Sequence, residues 1–125
     1  MKYLILIHQN FGARDQFASF TPTMQASALA AYQKLNADLV ASGEYVSGEA
    51  LDADTTATVV RGSEGTYVHT DGPFAETKEM LAGFYLVDVA SRERAIEIAE
   101  RIPEVAAGAA AIEVRPVMTY DWPEQ

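Results

Sequence analysis

The sequence predicts one α+β domain over residues 1–125, a ferredoxin-like βαβ-βαβ sandwich with an inserted hairpin. Three observations predict it. An apolar strand opens the chain, two amphipathic helices with capping signals each lie between extended segments, and two short glycine-flanked strands sit between the halves. The length of 125 residues suits a single core and is too short for two.

The first element, Lys2-Tyr-Leu-Ile-Leu-Ile-His8, is continuously apolar, as a central strand covered on both faces would be. Thr21-Pro22 gives an N-cap followed by proline at the first helical position, and Gly43 closes that helix in the left-handed cap conformation. Within it Met24, Ala28, Ala31, Leu35 and Leu39 recur every three or four residues and predict one buried stripe. Extended pieces follow at Tyr45–Leu51, Thr56–Arg61 and Thr66–Thr70, the last two joined by the tetrapeptide Gly62-Ser-Glu-Gly65 as a hairpin loop. Gly83 begins the next strand and Ser91 caps a second helix that stops before Pro103. Ala95, Ile98, Ala99 and Ile102 supply that helix's apolar face. After a flexible stretch at 106–111, Ile112 to Met118 alternates as an edge strand, because Pro116 cannot donate to a ladder. Two helices on one side leave Leu4 and Leu6 uncovered on the other, and a second copy of the chain is the simplest cover.

Composition narrows function by exclusion. Eighteen acidic against nine basic residues give a net charge of −9, which disfavours nucleic acid and anionic membrane as partners. The absence of cysteine removes disulfides, thiolate nucleophiles and cysteine-ligated metals. The opening apolar run is too short for a secretory signal or a membrane span, so a cytoplasmic location is expected. His8 and His69 lie in no metal-binding spacing, so neither metal nor cofactor is expected.

The segment Thr70-Asp-Gly-Pro-Phe-Ala-Glu-Thr-Lys-Glu79 stands out. Asp-Gly-Pro is a turn signal, while Asp71, Glu76, Lys78 and Glu79 gather three carboxylates and an ammonium directly after a strand. Asp71 is equally fit to cap that turn or to act as a base. Glu76, Lys78 and Glu79 can form a solvated ion-pair cluster or bind a ligand. Glu49, Arg61, Glu113 and Arg115 are charges within apolar strands, suited either to paired charges at a wet interface or to an anion clamp.

The run Asp71-Gly72-Pro73-Phe74, continued through Glu79, resembles the signature of the DGPF proteins, a branch of the YCII-like superfamily. Lys2-Tyr3-Leu4, Gly48-Glu49-Ala50-Leu51, Arg61, Gly83 and Glu113-Val114-Arg115-Pro116-Val117 extend the resemblance over nearly the whole chain. It implies a ferredoxin-like fold in a dimeric α+β barrel-like assembly, a homodimer joined through its sheets, with a pocket near the signature. Some YCII-like relatives use a His–Asp pair. His69 and Asp71, two apart on one strand, leave on the same face.

Two readings follow. One is a cofactor-independent acid–base enzyme or small-metabolite binder, with Asp71, His69 and Lys78 as catalytic candidates and Glu49, Arg61, Glu76, Glu79 and Arg115 around a small polar or anionic ligand at the dimer interface. The other, implied by the gene neighbourhood of the resembling family, is a non-catalytic module that regulates an extracytoplasmic-function sigma factor.

Overall fold

The computed structural model describes residues 1–10, 12–72 and 79–119. Its element order is β1 (Lys2–Asn10), α1 (Ala13–Ala18), α2 (Pro22–Ser42), β2 (Tyr45–Ala50), β3 (Thr58–Ser63), β4 (Thr66–Asp71), β5 (Glu79–Asp88), α3 (Arg92–Glu100), α4 (Pro103–Ala106) and β6 (Ala110–Pro116). Four strands form an antiparallel sheet in the order β2-β5-β1-β6, and β3 pairs with β4 in a separate two-stranded sheet. In the larger sheet β5 lies between β1 and β2, so the β1-α2-β2 connection crosses over one strand. This α+β layout is compatible with a ferredoxin-like fold.

The capping signals do what their chemistry requires. The Thr21 hydroxyl accepts the Met24 amide at 3.2 Å, Ser91 accepts the Arg94 amide at 3.1 Å, and Gly43 ends α2 with φ +77°. Alternation along β1 sends Tyr3, Ile5 and Ile7 into one core with Leu35 and Leu39 of α2, Ile98 and Ile102 of the α3 region, and Tyr85 and Val87 of β5. All four residues of the expected α3 face are buried. Leu4, Leu6, Phe84 and Leu86 line the opposite face and are only half-buried, so within one chain β1 is covered on one side.

Several expectations need correction. The buried stripe of α2 runs through Ala28, Tyr32, Leu35 and Leu39, while Ala31 and Met24 are exposed. The tetrapeptide loop shrinks to Glu64-Gly65, because Ser63 pairs with Thr66; both turn residues have positive φ, +51° and +82°. A two-residue turn of that handedness matches the strand twist. β5 begins at Glu79, four residues before Gly83. Gly83 is instead a point of close approach, where an added Cβ would lie 2.8 Å from the Glu49 carbonyl oxygen. Pro103 ends α3 and also starts α4, as a proline at the first helical position can. α1, in the stretch 11–20, carries no strong sequence signal.

Candidate functional site

The N-terminal half of α2 stands off the sheet, and α1 closes the gap beside it. Between them and the strands lies a cavity of 720 Å³, within the range of small-molecule sites. Its floor is Ile7 and Gln9 of β1, Ala82 and Tyr85 of β5, and Tyr45 and Gly48 of β2. Its roof is Phe17 of α1 with Ala28, Leu29 and Tyr32 of α2, and Pro103 and Glu104 of α4 form the far wall. Phe17 and Phe20 meet edge to face at 5.7 Å between ring centres, and the Gln25 side-chain amide donates to the Phe17 carbonyl at 3.1 Å. These contacts fix the roof.

The floor is low because the residues facing the roof are small and because β5 carries an extra residue. Ile7 pairs with Gly83 and His8 with Leu81, which leaves Ala82 as the unpaired residue of a bulge. Ala82 and Gly83 are therefore both buried where alternation would place only one.

Polar groups converge on this apolar space. The Tyr32 hydroxyl donates to the Glu104 carboxylate at 2.6 Å, and burial, with that carboxylate beside it, holds the phenol protonated well above its ordinary range. The Tyr85 hydroxyl donates to the Asn36 side-chain oxygen at 2.6 Å; burial first, then the Tyr45 and Glu104 charges, pushes its pKa up to about 12. Arg14 donates to the Leu51 carbonyl. The side-chain oxygen of Gln9 is buried with no hydrogen-bond partner among the described residues. A guanidinium donor and a carboxylate thus border a cavity walled by aromatic rings.

Of the residues expected from sequence, Glu49 lines this cavity. It pairs with Phe84, so its side chain belongs to the open face of the sheet. His69 and Asp71 do share one face of the β3–β4 pair, opposite Val60 and Thr58, and every residue of β4 is exposed. Gly72 follows with φ +99°, the positive value expected of it, and its amide donates to the Ala57 carbonyl at 2.9 Å. Arg61 sits opposite Val68 on the other face of that pair, and Glu79 opens β5 opposite Asn10. Arg115 lies 3.5 Å from Glu113, which also meets His8 at 3.1 Å, all three on the open sheet face. Glu76 and Lys78 lie outside the described residues. Among the described residues no three His, Asp or Glu side chains are grouped to hold a metal ion. No described helix is long and apolar enough to cross a membrane.

Sequence reasoning did not find Gln9, Arg14, Tyr32, Glu104 or the cavity itself. The available signal was the pairing of small residues on facing elements, Ala28 on the helix and Gly48, Ala82 and Gly83 on the strands, with aromatic residues around them.

The chain resembles known proteins over half or more of its length. An uncharacterised protein of Rhizobium meliloti (strain 1021) is 44% identical over 66 residues, and the match spans about half of each protein, 53% of both. A structure of 5-chloro-2-hydroxyhydroquinone dehydrochlorinase (TftG) from Burkholderia phenoliruptrix AC1100, in complex with 2,5-dihydroxybenzoquinone, superposes over 94% of both chains with a TM-score of 0.48 and 16% sequence identity. The family model of the YCII-related domain matches residues 1–121, and this chain belongs to that family.

Proposed function

We propose that this chain binds a small organic metabolite in the cavity between its helices and its sheet, with Tyr32 and Glu104 as the acid–base pair and no cofactor required. The observation that carries the reading is the Tyr32–Glu104 contact of 2.6 Å at the wall of a 720 Å³ cavity. A buried neutral phenol holding a carboxylate leaves the second carboxylate oxygen to accept a ligand proton. The aromatic and small residues around it supply the apolar body of a binding site.

A thermal-shift screen against a metabolite library tests this, since a ligand that binds only the folded chain raises its melting temperature. Ligands found in the screen should lose their shift in Ala28→Trp, which fills the cavity. Shifts that survive Ala28→Trp would place binding elsewhere.

The signature residues support a second site at an assembly interface. We assign Asp71, His69 and Lys78 there as the chemical groups, with Glu49, Arg61, Glu76, Glu79 and Arg115 as its surroundings, and a second copy of the chain covering the open sheet face. A regulatory reading, in which this surface meets a partner such as a sigma factor, is favoured by one observation. The β3–β4 pair exposes Val60 and Tyr67 on the face of His69 and Asp71, as a docking surface would.

A further inference from the structure

Arg14 is the cation of the cavity lining, and no described carboxylate pairs with it. It is half-buried, its guanidinium donates to the Leu51 backbone carbonyl, and no Asp or Glu among the described residues lies within ion-pair distance of it. Arg94 and Arg101, at the helix surface, pair with Glu44 at 2.8 Å and with Asp38 at 2.6 Å. A guanidinium has five N–H donors, and one carbonyl leaves most of that fork open to a carboxylate.

Gln9 is the second polar group of the lining. It continues the inward face of Ile7 along β1, and its side-chain oxygen is closed off from water, which leaves the amide nitrogen as the group it offers a ligand. An amide N–H donates to a hydroxyl oxygen. Arg14 is tied to the end of β2 and Gln9 stands on β1, two strands away across β5. Strand spacing puts those anchors about 10 Å apart. The space between is apolar and partly aromatic, with Phe17 above and Ala82 and Gly83 below. The two acids of the lining, Glu49 and Glu104, form no ion pair with Arg14. Glu104 is on α4, which packs against β6 at the far edge, and Glu49 shares the open face with Phe84.

We propose that the cavity takes an aromatic monocarboxylate with a hydroxyl remote from the acid, the carboxylate on Arg14 and the hydroxyl accepting from the Gln9 side-chain amide. The proposal rests on the reading of the cavity as the ligand site and adds the class of ligand.

Titration calorimetry at neutral pH with 3-(4-hydroxyphenyl)propionate, its carboxamide, 3-phenylpropionate and 4-ethylphenol tests it. The hydroxy acid should bind the parent about tenfold or more tighter than its amide, a difference of about 1.4 kcal/mol. That preference should vanish in Arg14→Gln and persist in part in Arg14→Lys, which keeps the charge and loses the fork. Gln9→Leu should remove the preference for the hydroxylated acid over 3-phenylpropionate and leave the acid-over-amide ratio intact. A purely structural Arg14 would alter melting temperature without changing that ratio. Equal affinity for acid and amide in the parent, or a preference that survives Arg14→Gln, overturns the proposal. If 4-ethylphenol binds the parent and is lost in Ala28→Trp while the acid gains nothing, the ligand class falls and the cavity reading stands. If no probe binds, both fall.

Discussion

At the scale of single residues, two glycines divide into different physical cases. Gly72 needs its positive φ of +99°, so Gly72→Val should cost more than about 1 kcal/mol through backbone strain. Equal melting temperatures would show that the turn relaxes. Gly83 needs space, because the nearest atoms to an added Cβ are the backbone oxygen of Glu49 at 2.8 Å and Cα of Ala50 at 3.3 Å. Gly83→Ala should destabilise by about 1–3 kcal/mol, since backbone on a paired strand cannot swing aside as a side chain would. Asp71 poses a chemical question. Asp71→Asn keeps an acceptor for the turn and removes the charge, so retained stability with lost ligand binding supports the site at the signature. Lost stability with full binding refutes it. The positive φ of Gly72 was legible in sequence because Asp-Gly-Pro acts locally. The cavity residues were not, because Gln9 and Tyr32 line one space only when β1 and α2 meet.

At the scale of elements, the helices were legible wherever a cap accompanied a periodic face. Ser91 and the Ala95 to Ile102 stripe define α3 by themselves, whereas α1 lacks a side-chain cap and follows a left-handed Gly12. The α2 stripe was misjudged at two positions, the exposed Met24 and Ala31. Ala31 and Tyr32 are adjacent, and the cavity under the helix draws the larger side chain inward. α3 is further tied to the start of β2 by Arg94, which donates two hydrogen bonds to Glu44 at 2.9 and 2.8 Å. The hydrogen bonds from Arg94 hold the Glu44 carboxyl below the ordinary carboxylate range. A lowered folded-state pKa means that this stabilisation is present above the ordinary carboxylate value and is lost as pH falls below it. Arg94→Met should therefore destabilise by about 1–2 kcal/mol at neutral pH, after discounting for solvent at the partly exposed guanidinium. The gap to the parent should narrow in acid. A gap independent of pH would assign the loss to packing of the arginine stem.

At the scale of the whole molecule, the open sheet face sets the expectation. Leu4, Leu6, Phe84 and Leu86 form an apolar strip flanked by the His8–Glu113–Arg115 ladder. A second copy laid on that strip would bury it. Sedimentation should give twice the mass of one chain at micromolar concentration, and Leu6→Glu should yield monomers that retain their fold. A parent that sediments as a monomer removes the assembly and, with it, any site that needs two chains. The described lining of the cavity comes from a single chain, so ligand binding there should survive Leu6→Glu.

The extra residue in β5 sets a rule for changes in chain length. Side chains alternate along a strand, so deleting one residue normally turns everything beyond it over to the other face. Ala82 is the exception, because it is the residue outside the alternation: Leu81 already pairs with His8 and Gly83 with Ile7. Removing it would join the two halves of β5 in phase and keep Glu79, Met80 and Leu81 facing as they do now. Relatives that differ by a single residue within this strand should differ at this point, and the change would alter the cavity floor without disturbing how the signature segment enters the sheet.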